Sequence, residues 1–225
     1  MRQKNKVLII DDHPLICDSY RKALQQVMKE NQDIQMQIES AENCDTAKEK
    51  IMNSWTNDSW DLVFLDIRLP ASKDRRILSG EDLGEMIREN HPLAKIIVAT
   101  TFNDNYRIQN IFKSLNPEGF LIKNDLDPKE LVSAIIKIMQ GGVHYSQTVS
   151  NLMRIKMHRN INIDKKDRQI LFELSLGTKM KDLPNIVPLS IAGIEKRKRI
   201  LKEIFDVEDQ GDKALILKAR ELGFI

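Results

Sequence analysis

Five polar residues stand where short apolar runs end. Asp11 and Asp12 follow Val7 to Ile10, Asp66 follows Leu62 to Leu65, Thr100 follows Ile96 to Ala99, and Lys123 follows Gly119 to Ile122. Carboxylates gathered at one point repel each other. A hard divalent cation offsets that repulsion, and Mg2+ suits oxygen ligands. The cation would also draw in a phosphoryl group and neutralise charge as it transfers. Asp66 could then attack phosphorus as a carboxylate nucleophile and form an acyl phosphate. Lys123 supplies a positive charge for the phosphoryl oxygens, and Thr100 a hydroxyl donor. One such residue alone could merely cap an exposed loop. All five, each at its own strand end, point to convergence.

The elements that would position them alternate along the chain. Apolar runs rich in β-branched residues read as buried strands at 7–10, 62–65, 96–99 and 119–122, with an alternating strand around Ile34, Met36 and Ile38. Helical spacing follows each strand: Ile16, Tyr20, Ala23, Leu24 and Val27 behind Pro14; Ala47, Ile51 and Trp55; Leu83, Met86 and Ile87; Ile108, Ile111, Phe112 and Leu115; and Leu131, Ile135 and Ile138 within 128–139. Five strands alternating with five helices imply an α/β fold, a parallel sheet covered on both faces. Sites in such sheets lie beyond the carboxyl ends of the strands. Gly141 and Gly142 stop the fifth helix, and polar, basic residues 143–162 are the expected linker.

Residues 163–225 read as a small all-α segment. Asp164 and Asp167 mark a helix start, Ile170, Leu171 and Leu174 its apolar stripe, and Gly177 its end. Leu183, Ile186 and Val187 suggest a short second helix, Ser190 an N-cap, and 191–205 a third helix. A last helix covers 214–222. The third helix carries Lys196, Arg197, Lys198, Arg199 and Lys202. Such a run is either a solvated face or, behind a short helix and a tight turn, a surface for the DNA major groove.

Charge follows this division. Residues 151–225 hold 16 Lys and Arg against 11 Asp and Glu. From totals of 35 and 33, that leaves 19 against 22 for residues 1–150. A basic second part fits nucleic acid. No apolar run approaches a membrane span, and the N-terminus lacks a signal-peptide core, so a cytoplasmic protein with no membrane partner is expected. Cys17 and Cys44 form no metal or disulfide pattern and read as free thiols. Histidines 13, 91, 144 and 158 are scattered, and His13 reads as a loop residue, not a ligand.

Asp11-Asp12-His13-Pro14, Leu65-Asp66-Ile67-Arg68-Leu69-Pro70, Val98-Ala99-Thr100-Thr101 and Gly119-Phe120-Leu121-Ile122-Lys123 resemble the receiver motifs of two-component response regulators, over residues 4–142. The resemblance implies a flavodoxin-like (βα)5 receiver domain over 1–142. It implies that a histidine kinase phosphorylates Asp66. It implies Mg2+ held by Asp12, Asp66 and the Arg68 backbone carbonyl, with Asp11 bound directly or through water. Thr100 and Phe120 occupy the switch positions. Residues 163–225 are similar to the helix-turn-helix domain of NarL/LuxR-type regulators, carried by Ile163-Asp164, Ile170-Leu171, Gly177, Lys181-Asp182-Leu183, Leu189-Ser190, Ile194, Leu201 and Val207. The resemblance implies double-stranded DNA as partner, and a homodimer on phosphorylation or DNA binding. Lys196 and Arg199 are expected near bases or phosphates, with Lys179, Lys181 and Arg197 at the DNA backbone. Such a chain transfers phosphate to itself without separate turnover, and so is not an enzyme in the usual sense.

Two departures stand out. The loop 71–79 is longer than the family norm and carries three basic side chains, so it is either a tolerated surface insertion or an element of kinase recognition. Pro184 falls inside the expected second helix, which it would disrupt or delay. With Gly193 and Glu195, it motivates a rival in which the C-terminal helices bind a protein partner instead of DNA. A second rival, a phosphohydrolase with an aspartyl intermediate, lacks the Asp-x-Asp motif after the first strand, and Gly-rich phosphate loops are absent.

Overall fold

Strand β1 (Lys4–Ile10) ends in four residues with no exposure at all, Val7 to Ile10. A strand buried on both faces has no polar side to alternate with, which is why the run is continuous. The computed structural model describes residues 4–54, 59–101, 105–125, 127–154 and 163–225. Trp55, His158 and the 155–162 part of the expected linker lie outside them.

Around β1 lie β2 (Gln35–Ala41), β3 (Leu62–Asp66), β4 (Lys95–Thr100), β5 (Gly119–Ile122) and β6 (His144–Tyr145), in the order β2-β1-β3-β4-β5-β6. Every neighbouring pair is parallel. The order reverses between β1 and β3, so their carboxyl ends open the crevice where such sheets place their sites. Register then does the gathering. Ile10 pairs with Leu65, Asp66 with Ala99, and Thr100 with Ile122, so Asp11, Asp66, Thr100 and Lys123 come to one edge.

Helices cover both faces. α1 (Pro14–Glu30) starts with Pro at its first turn, where a missing amide costs nothing, and buries Cys17, Tyr20, Ala23, Leu24 and Val27. α5 (Pro128–Met139) is capped by Asp127, whose side chain accepts from the Glu130 amide, and buries Leu131, Ala134, Ile135 and Ile138. These two pack with Val7, Ile9, Leu62, Phe64, Ile97, Ala99 and Leu121 into one core. Each large apolar side chain so buried stabilises by roughly 1.5–3 kcal/mol before entropy is counted. α2 (Cys44–Asn53), α3 (Gly80–Asn90) and α4 (Asn105–Leu115) complete the alternation. Cys17 and Cys44 are buried free thiols, as expected.

Part of the expected linker is ordered instead. β6 extends the sheet by two residues, and α6 (Gln147–Arg154) follows it with Val149 fully buried. Two strand residues are too few to show a period, and the Ser146 amide docks on the Phe120 carbonyl, a partner distant in sequence.

The C-terminal helices form their own cores. α7 (Lys165–Ser175) opens on a reciprocal capping box between Asp164 and Asp167, and Gly177 leaves it at φ +83°. α8 (Ile191–Ile204) is capped by Ser190, which accepts from the Gly193 amide. α9 (Asp212–Glu221) closes the chain. Ile163, Leu171, Leu201, Phe205, Val207, Leu215, Ala219, Leu222 and Phe224 form one cluster, and Ile170, Leu174, Leu183, Val187 and Ile194 another. The expected second helix is a single 3-10 turn, Leu183–Asn185, with Pro184 in it. Pro184 stands in its first turn, where a missing amide costs nothing, but its ring disfavours a helical run that reaches it from the N-terminal side.

Candidate functional site

The carboxyl edge of the sheet holds a buried lysine between two buried aspartates. Lys123 Nζ lies 2.6 Å from Asp66 Oδ2 and 2.7 Å from Asp11 Oδ2. Asp11 and Asp66 are almost wholly buried, and Lys123 nearly so. The ammonium donates to Asp66, whereas Asp11 Oδ2 receives only charge and accepts no hydrogen bond. Burial pushes the Asp66 carboxyl above its ordinary range, against the opposing pull of Lys123 and of the Arg68 amide.

The loops after β1 and β3 fold back on this centre. The His13 amide donates to Asp11 Oδ1 at 2.9 Å, and the Arg68 amide to Asp66 Oδ1 at the same distance. Ligand-capable atoms of Asp11, Asp12, His13 and Asp66 all lie within 4.8 Å of one another. His13 Nδ1 is 2.6 Å from Asp12 Oδ1, so this ring sits in the acidic cluster, although its sequence position reads as plain loop. The donor set fits Mg2+: hard oxygens dominate, with a carboxylate oxygen from each of Asp11, Asp12 and Asp66 in one cluster. When bound, Mg2+ supplies charge neutralisation for a phosphoryl group.

Thr100 is fully buried at the end of β4. Phe120 is buried in β5, its ring 5.1 Å from that of Phe112, which in turn meets Tyr145 edge-on at 4.9 Å. The Arg68 guanidinium reaches Thr101 Oγ1 at 3.3 Å.

One residue of the site carries no side chain and was missed in the sequence. Gly80 opens α3, and a Cβ built on it would lie 1.8 Å from the Asp66 carbonyl oxygen. Its amide donates to the Ile67 carbonyl at 3.1 Å. The signal was a glycine just after Ser79, the N-cap of α3, but nothing local tells which backbone it approaches.

Residues 7–136 match the response regulator receiver domain. The chain belongs to this receiver family. Among curated relatives, the nitrate/nitrite response regulator homolog of Haemophilus influenzae is 25% identical, across 81% of each chain. NarP, the nitrate/nitrite response regulator protein of Escherichia coli, is 24% identical, across 82% of this chain and 81% of its own. Among solved structures, RcsB from Salmonella enterica serovar Typhimurium bound to the promoter rprA aligns with TM-score 0.66 at 20% identity, covering 96% of this chain and 98% of that one. That likeness agrees with the fold described above. Strand register and the acidic cluster bring Asp11, Asp12, Asp66, Thr100 and Lys123 to one edge of the sheet.

The basic residues of the helical region are divided. Lys179, Lys181, Lys196 and Arg199 are exposed. Arg197, expected at a DNA backbone, is tied instead to Asp164 and Asp167, each 2.8 Å away. Lys198 and Lys202 both pair with Asp212, at 3.0 and 3.1 Å. The α8 face that bears these residues turns toward α7 and α9, whose carboxylates neutralise it.

Proposed function

We propose that the protein is the response regulator of a two-component system, phosphorylated on Asp66 by a histidine kinase, and that its C-terminal helices bind double-stranded DNA to regulate transcription. The observation that carries this reading is Lys123 held between Asp11 and Asp66. An Asp66 oxygen forms the new bond to phosphorus, and the bond from phosphorus to the donor breaks with its electron pair leaving on the donor. Lys123, already within ion-pair distance, balances the charge on the phosphoryl oxygens. Thr100 donates its hydroxyl to another of them. Asp11, Asp12, Asp66 and the Arg68 carbonyl would hold Mg2+. Thr100 and Phe120 would then relay the modified state, biasing a two-state receiver.

For DNA, Lys196 and Arg199 on α8, with Lys179 and Lys181, are exposed cations suited to phosphates or base edges, Arg199 holding only a 3.9 Å pair with Glu203 one turn on. The relatives are named as regulators of the same kind, and a dimer would match two half-sites. No helix among the described residues is long and apolar enough to cross a membrane, and the cytoplasm is the compartment where a kinase and DNA are both at hand. Genome-wide DNA capture with the intact protein and with Asp66→Ala, side by side, tests the reading. Discrete sites that weaken in the variant support it.

The 3-10 turn at Leu183–Asn185 favours a second reading, in which the C-terminal helices dock on a protein. DNA affinity of the full chain that ignores salt, or that is absent, would select it.

A further inference from the structure

The β3–α3 connection is longer than the receiver motif requires, yet among the described residues it is a folded object. Ser72 and Ile77 are both buried, and they bond each other twice: the Ser72 amide donates to the Ile77 carbonyl at 2.8 Å, and the Ile77 amide donates to Ser72 Oγ at 3.1 Å. Ser72 Oγ donates to Asp74 Oδ1 at 2.7 Å, and the Arg76 amide donates to the same oxygen. Those bonds hold the Asp74 carboxyl down at about 2. Arg75 takes φ 55°, a left-handed conformation that a non-glycine residue keeps only where its surroundings impose it. Outside contacts fix the loop in place. The Lys73 amide donates to Asp45, Lys48 pairs with Asp74 at 3.4 Å, and the Leu78 amide donates to Asp82 at 2.6 Å.

The outcome is a rigid turn whose one carboxylate is occupied by the turn itself. Lys73, Arg75 and Arg76 stay exposed, and the Arg76 side chain is 83% exposed, its nearest carboxylate a distant 3.9 Å. They stand on the negatively charged part of the chain, residues 1–150 with 19 cations against 22 anions. Both ends of the loop lead to the phosphoacceptor. Its start, Ala71, stands five positions after Asp66, and the residue just past its end is Gly80, packed on the Asp66 carbonyl. The backbone that presents these cations is therefore tied to the phosphoacceptor strand at both ends.

We infer that the 71–79 turn is a docking platform for an acidic surface on the protein that donates phosphate to Asp66, steering that donor by charge. The inference rests on the function proposed above. A protein donor is favoured over nucleic acid because the platform belongs to the connection that joins Asp66 to Gly80, within the acidic part of the chain. A backbone already fixed spares the loop its own ordering cost at binding, and the exposed cations it carries steer encounter.

The test uses the full chain and the triple variant Lys73→Ser, Arg75→Asn, Arg76→Ser; asparagine tolerates the left-handed conformation. Purified histidine kinases of the source organism are each labelled with ATP, and the one that labels the wild type fastest is the probe. Acetyl phosphate is the small donor without a docking surface. Transfer from the kinase should slow by about tenfold or more at low salt, and the gap should narrow as salt rises. Labelling by acetyl phosphate should be unchanged. Equal kinase transfer to both proteins overturns the inference. So does equal slowing with both donors, which marks a distorted site, or a kinase-independent loss of DNA affinity as the only defect, which marks a nucleic-acid contact. Labelling by acetyl phosphate but by no kinase also overturns it. If acetyl phosphate leaves wild-type Asp66 unlabelled, the proposed function itself has failed, and the platform with it.

Discussion

Asp66 is held ionisable in a place that disfavours its charge. Burial raises its carboxyl above the ordinary range, so the folded chain binds that proton more tightly than the unfolded one. The stabilising contribution of this group is present below the unfolded value and is lost as pH rises through the folded one. Removing the charge should therefore help the fold at neutral pH. Without metal, Asp66→Asn is expected to raise the thermal midpoint at pH 7 by a few degrees, with the gain shrinking toward pH 4; calorimetry across that range checks it. Gly80 is the opposite case. A methyl there would meet the Asp66 carbonyl, so Gly80→Ala should cost on the order of 1–3 kcal/mol in urea unfolding and slow acyl-phosphate formation together. The chemistry of this site was legible because each polar residue ends an apolar run. Gly80 was not, since a glycine's role is set by whatever backbone lies against it, and Asp66 is fourteen residues away.

Among the elements, the C-terminal helices show what sequence spacing conceals. Four consecutive cations on α8 look like one DNA-facing patch. Arg197 instead clamps α8 to the capping box of α7, whose carboxylates lie 30 and 33 positions back. Arg197→Ala should destabilise the helical region by about 1 kcal/mol, the partial exposure of these groups keeping the figure low, and chemical denaturation measures it. Lys196→Ala with Arg199→Ala should leave stability alone and lower the slope of log affinity against log salt by roughly 2, one per lost phosphate contact. An unchanged slope would remove both from the interface. The long helices were readable from apolar spacing and caps, Ser190 and Asp164 among them. The strand of two residues at His144–Tyr145 carries no period, and the 3-10 turn at Leu183–Asn185 was signalled only by Pro184.

At the scale of the whole molecule, an acidic receiver part and a basic helical part share one chain. The charge split in the sequence already pointed to different partners for each. If Asp11, Asp12 and Asp66 hold Mg2+, the ion stabilises the folded chain by mass action, about 2.7 kcal/mol at a hundredfold excess over its Kd. A thermal shift on adding MgCl2 should therefore appear in the wild type and vanish in Asp12→Ala. The most direct test of the central claim is intact-protein mass spectrometry with peptide mapping after acetyl phosphate and MgCl2. A single phosphoryl group on Asp66, absent from Asp66→Asn, is the predicted result; an unmodified wild type, or a phosphoryl group on any other residue, would contradict it.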